Sequence, residues 1–157
     1  LPAGAHIAAE IHYRGAKERV TEQGTLGLFF AGGPVRNFVS DWMLEAKGEV
    51  PAGASRQKFR AERQLAADTQ VLALLTEFSP GVLSIEVSAR KPDGGTEVLL
   101  FAKDLSFDWP TPFILKTPVL LRRGAALSVT AYYANSTTAP RPGSIRLTVS
   151  RTQALSQ

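Results

Sequence analysis

Apolar and polar residues alternate with a period of two along much of the chain, the pattern of strands with one face on a core and one in water. Ile7, Ala9, Ile11 and Tyr13 alternate with His6, Ala8, Glu10 and His12. Leu83, Ile85 and Val87 alternate with Ser84, Glu86 and Ser88. Leu127, Val129, Ala131 and Tyr133 do the same with Ser128, Thr130 and Tyr132, as do Ile145, Leu147 and Val149 with Arg146, Thr148 and Ser150. Two runs, Leu26 to Phe30 and Val71 to Leu75, are apolar enough to be strands buried on both faces. The cluster Lys91-Pro92-Asp93-Gly94-Gly95 feeds Val98-Leu99-Leu100-Phe101, which predicts a hairpin. Only Ala61 to Thr69 has the makings of a short helix, and it suits a strand edge or loop as well. Many short strands separated by turn residues predict an all-β fold, a jelly roll or β-sandwich.

Length and composition narrow this picture. With 157 residues the chain can bury one substantial core. It has no cysteine, which removes disulfides, thiol catalysis and cysteine-held metal centres and leaves stability to packing. No apolar run approaches the roughly 20 residues of a membrane-spanning helix. The opening Leu1-Pro2-Ala3-Gly4 carries neither an initiator methionine nor a signal-peptide pattern, so a processed chain with further sequence upstream is expected. The net charge is +4, but the densest basic group, Arg56, Lys58, Arg60 and Arg63, is interrupted by Glu62. Nucleic-acid binders gather such charge on one face among stacking aromatics, and no nucleic-acid partner is expected here.

The residues that carry chemistry are sparse. There is no Gly-x-Ser-x-Gly elbow, phosphate loop or His-Glu-x-x-His pair. His6, Glu10 and His12 share one face of the first predicted strand, where residues two apart lie about 7 Å from each other. Glu10 and His12, with one more ligand, are therefore metal candidates, although polar residues on a solvated strand face have the same pattern. Glu77, Glu86 and Asp108 offer carboxylates for glycoside hydrolysis, against a plain reading as surface and loop residues. Asn135-Ser136-Thr137 is formally a glycosylation sequon, and its position also suits a turn. Trp42, Phe107, Trp109 and Phe113 either line a pocket or cap the sheets. The stretch Trp109-Pro110-Thr111-Pro112-Phe113 is a stiff aromatic loop, and Trp109, Phe113, Arg122 and Arg123 are the candidates for a protein interface.

Several stretches, taken in order, resemble the copper type II, ascorbate-dependent monooxygenases, the family of peptidylglycine and dopamine β-monooxygenases. They are Leu1-Pro2-Ala3-Gly4 with Glu10-Ile11-His12-Tyr13, Thr25 to Phe30, Val50-Pro51-Ala52-Gly53, Pro92-Asp93-Gly94 with Phe107-Asp108-Trp109, and Tyr133-Ala134-Asn135-Ser136. The resemblance covers nearly the whole chain and implies a jelly roll over residues 33–157. Residues 1–32 would then supply the closing strands of a preceding domain or of this one. In the family a His-x-His pair and a downstream Met hold one copper. The resemblance puts Glu77 and Ser79 at the histidine positions and Leu155 at the methionine, with all three expected to converge. Carboxylate, hydroxyl and alkyl groups do not replace imidazole and thioether around cycling copper. His12 matches the strand ligand of the family's other copper site, whose remaining ligands would lie upstream of Leu1.

The resemblance thus implies a non-catalytic monooxygenase-like domain with no cofactor. Its expected role is that of an accessory or structural subunit, with other protein subunits as partners, in an extracytoplasmic or membrane-attached assembly. Two other readings stay open. One is a copper-dependent oxidoreductase whose surviving site uses His12 and residues upstream. The other is a β-sandwich that binds a carbohydrate or other small ligand.

Overall fold

The computed structural model describes residues 4–11, 15, 17–30, 32–34, 38–105 and 111–153. Eight strands run in the order β1 (Ser40–Val50), β2 (Gln57–Gln64), β3 (Thr69–Phe78), β4 (Val82–Arg90), β5 (Thr96–Lys103), β6 (Phe113–Leu121), β7 (Ala126–Tyr133) and β8 (Arg141–Gln153). They form two antiparallel four-stranded sheets, β1-β8-β3-β6 and β2-β7-β4-β5. Among the described residues there is no helix, and so none long and apolar enough to cross a membrane. The protein is all-β, a sandwich of two sheets.

One core lies between the sheets. Ile145, Leu147 and Val149 of β8 are fully buried, as are Leu127, Val129, Ala131 and Tyr133 of β7 and Ile85 and Val87 of β4. Burying a side chain of this size contributes about 1.5–3 kcal/mol, so these alternating positions hold the sheets together. The strand β7 is buried on its outer face too, where the Ser88 and Ser128 hydroxyls meet at 3.2 Å.

Phe59 of β2 packs edge-on against Tyr133 of the neighbouring strand β7, with ring centroids 5.3 Å apart. Opposite it, Gly48 of β1 and Gly143 of β8 face each other in register. A Cβ on either would lie 2.6 Å and 2.9 Å from the Phe59 ring, so both positions need glycine for space.

Three expectations from the sequence are refined. The run Val71 to Leu75 is not buried on both faces. A bulge between Val71 and Ala73 shifts both ladders of β3, so Val71 and Leu74 both face the core while Leu72 and Leu75 are only half-buried. The helix considered at Ala61 to Thr69 is instead the end of β2, a turn and the start of β3. The hairpin at Lys91 to Gly95 forms as the turn residues dictate. Lys91 N–H donates to the Gly95 carbonyl, Gly94 N–H to the Lys91 carbonyl, and Asp93 Oδ1 accepts from Gly95 N–H, while Gly94 takes φ 93°.

The chain divides into two units, Leu1–Pro34 and Val35–Gln157, two residues past the boundary expected from the motifs. The described residues of 4–34 contain no strand, although the alternation at 6–13 and the run 26–30 predicted two. A strand exists only where a neighbour pairs its backbone groups, and no ladder reaches this stretch among the described residues. Its apolar side chains are exposed, Phe29 and Phe30 among them.

Candidate functional site

Glu77 is the penultimate residue of β3, and Ser79 follows the strand's end. The alternation of β3 turns Glu77 outward, while β8 sets Arg146 directly across from it. On its other side, Arg146 pairs with Glu45 of β1. The three side chains form one row across the outer face of the sheet. Arg146 Nη2 and Nε donate to Glu45 Oε1 at 3.0 and 3.2 Å, and Nη1 lies 3.7 Å from Glu77 Oε2. Lys47 adds an ion pair to Glu45 at 3.1 Å. The Lys47 ammonium, and then the Arg146 guanidinium, hold the Glu45 carboxyl below its usual range. Ser79 serves the backbone: its N–H donates to the Ser144 carbonyl at 3.1 Å, and its hydroxyl accepts from Ser144 N–H at 2.9 Å. The Tyr133 hydroxyl also donates to that Ser144 carbonyl. Burial pushes the Tyr133 phenol up, with the Ser79 hydroxyl and backbone opposing.

Leu155 lies outside the described residues. The strand that leads to it runs away from Glu77. Phe78 pairs with Ile145, whereas Gln153, the last described residue of β8, pairs with Thr69 at the far end of β3. Nine residues of strand separate Thr69 from Phe78, roughly 30 Å. Register puts Arg146 opposite Glu77, and the expected convergence of positions 77, 79 and 155 involves a residue outside those described.

His12 also lies outside the described residues. His6 and Glu10 are exposed in the first unit, and the strand spacing that made them metal candidates is absent there. Among the described residues no three His, Cys, Asp or Glu side chains gather to hold a metal. Glu86 points outward from β4, on the opposite sheet to Glu77, so these two do not form a carboxylate pair.

Of the four interface candidates, the three among the described residues lie at opposite ends of β6. Trp109 is outside the described residues. Phe113 is half-buried against the core at the start of β6. Arg122 and Arg123 follow the other end of that strand, where Arg122 Nη1 meets Asp68 Oδ2 at 2.7 Å and Arg123 N–H donates to Asp68 Oδ1 at 2.8 Å. Arg122 also borders an apolar cleft of about 230 Å³ with Pro92, Leu120, Leu121 and Ala125. The large apolar side chains that stand in water on the β1-β8-β3-β6 sheet are Met43 at 61%, Ile114 at 80% and Leu120 at 45% exposure.

Asn135 resolves as a structural tie. It is fully buried, and Nδ2 donates to the carbonyls of Val50, Pro51 and Ala139 at 3.0, 3.1 and 2.9 Å. Its Oδ1 accepts from the Thr137 N–H and hydroxyl at 3.1 and 2.7 Å. Every polar capacity that a glycan would need is used by the fold.

Strand alternation also splits the basic group of β2. Lys58 and Arg60 point outward, while Arg63 turns toward the open end of the sandwich, 5.0 Å above the Trp42 ring. Beside them a pocket of about 200 Å³ is bordered by Arg151 and the β2–β3 connection. Its residues come from β1, β2, β3 and β8, a combination that no local motif announces.

The chain matches no protein-family model and no curated protein.

Proposed function

We propose that this chain is a non-catalytic, monooxygenase-like β-domain that serves as an accessory or structural subunit of an extracytoplasmic or membrane-attached assembly. Several observations support the monooxygenase likeness. The strand order β1-β8-β3-β6 against β2-β7-β4-β5 suits a jelly roll of two Greek keys. Pro92-Asp93-Gly94 sits in the β4–β5 turn, and Tyr133 to Asn135 closes β7 into the tie to Val50 and Pro51.

The observation that carries the loss of copper chemistry is the row Glu45–Arg146–Glu77. At the end of β3, where the resemblance puts the histidine pair, stands an exposed carboxylate 3.7 Å from a guanidinium that hydrogen-bonds Glu45. The second position is a hydroxyl committed to the Ser144 backbone. Copper(I) needs soft or imidazole donors, and a fixed cation beside the site opposes any metal ion. The residues at these positions do not fit copper.

What remains for such a domain is its surface. Exposed Met43, Ile114 and Leu120 on the β1-β8-β3-β6 sheet supply apolar contact area for a partner subunit.

Oxygen uptake with ascorbate and added copper tests the proposal. Uptake at the rate of copper and ascorbate alone is expected. Protein-dependent uptake abolished by His12→Ala would favour the copper oxidoreductase and overturn the proposal.

A further inference from the structure

The open end of the sandwich near the start of β1 holds two guanidinium groups that the fold leaves without counter-charge. Arg63, on the inward face of β2 at its last turn of alternation, lies over the Trp42 ring. Arg151, on β8 across from Ser40 and Val71, borders the same pocket. Among the described residues neither forms an ion pair, and no Asp or Glu lines the pocket. The two carboxylates nearest in sequence to Arg63 and to Thr69 are taken elsewhere. Glu62 is held by Arg60 and Arg90 on the outer face, and Asp68 by Arg122 and the Arg123 N–H.

Arg151 Nε is buried and without a hydrogen-bond partner among the described residues, as is Arg141 Nε away from this pocket. A guanidinium without an acceptor is costly, and the two that border the pocket are the groups an anion would satisfy. The Arg63 geometry points the same way. An arginine stacked on an indole uses its face and keeps its in-plane N–H edge free to donate. That edge matches the paired oxygens of a carboxylate or phosphate.

We infer that this pocket, between Trp42, Arg63 and Arg151, is a binding site for a small oxyanion, a carboxylate or phosphate group held by the two guanidiniums. The site does not depend on the monooxygenase reading and would serve a domain of any ancestry. Its volume of about 200 Å³ has room for roughly six waters at about 30 Å³ each, or for the anionic group and a small body attached to it. The apolar part of such a ligand would meet Trp42 and Leu65, and Gln64 is the neutral polar neighbour.

The test is calorimetric titration of the whole chain with sodium phosphate, sodium acetate and sodium succinate, each against sodium chloride at equal ionic strength. At least one oxyanion is expected to bind saturably and raise the melting temperature, while chloride does neither. A response to phosphate alone assigns a phosphate ligand, and a response to acetate or succinate assigns a carboxylate. Arg63→Gln and Arg151→Gln should each weaken binding roughly 10- to 100-fold, the worth of one charge-assisted bond pair. Lys58→Gln, on the same strand as Arg63 but facing outward and not lining the pocket, should bind like the parent protein. Should Arg151→Gln fail to fold, Arg151→Lys keeps the charge but loses the fork, and must still weaken binding. The site is refuted if none of the three oxyanions binds the parent protein, or if the arginine variants bind as the parent does.

Discussion

Replacing Asn135 with alanine tests how the sandwich is closed. The side chain is fully buried and makes five hydrogen bonds, three given by Nδ2 and two received by Oδ1. Truncation does not orphan every partner. The Ala139 carbonyl keeps the Thr137 hydroxyl at 2.9 Å, and that hydroxyl keeps Ala139. The groups stripped of this partner are the Val50 carbonyl and the Thr137 N–H, because the Pro51 carbonyl keeps the Ala54 N–H at 3.2 Å. At about 1–1.5 kcal/mol for each group left without this partner, the loss is roughly 2–3 kcal/mol. For a chain of this size each kcal/mol moves the melting temperature by about 2–4 °C, so a drop of roughly 5–10 °C is expected. Asn135→Asp should be at least as damaging, because a carboxylate would then face three carbonyl oxygens. Ser136→Ala, exposed on the same turn, should be neutral to within about 0.5 kcal/mol. Thermal unfolding by circular dichroism reads all three. A fall of less than about 3 °C for Asn135→Ala would refute the idea that this residue ties β7 to the end of β1.

Two further outcomes follow from the core. Gly48→Ala and Gly143→Ala each press a methyl against Phe59 and should cost about 1–3 kcal/mol, measured by urea unfolding, and Phe59→Leu should relieve part of that cost. Above pH 10.0, the ordinary tyrosine value, the unfolded chain gives up the Tyr133 proton while the folded one keeps it, because burial raises the folded pKa. The native state then binds more protons, so stability falls as pH rises beyond that point. Tyr133→Phe should flatten this alkaline slope in a series of melts, and an unchanged slope would show that Tyr133 is not its source.

The strands most legible in the sequence are the ones the fold sandwiches most deeply. β7, β8 and β4 each have two neighbours, and their inward positions carry mostly large apolar side chains at every second residue. The segments without a clear pattern, β1, β2 and β6, are all sheet edges. In β1, exposed Met43 interrupts the polar face and Gly48 leaves a gap on the apolar one. In β2 the inward positions are Phe59, Ala61 and Arg63, too few large apolar groups to announce a strand. In β6, Pro118 and an irregular register between Val119 and Ile114 erase the period. The same limit applies to function. That Glu77 and Ser79 end a strand is readable locally. That Arg146 is the neighbour of Glu77 depends on cross-strand register, and that Arg151 and Arg63 border one pocket depends on how the two sheets pack; a single strand's pattern contains neither.

The most direct test of the central claim is the copper content of the purified chain after dialysis, once against copper(II) and once against copper(I) with ascorbate. The Glu77–Arg146 pair and the backbone-bound Ser79 predict no stoichiometric copper in either state, and no difference on Glu77→Ala. One tightly held copper per chain, lost on replacing Glu77 or His12, would contradict the account and return the domain to oxidative chemistry.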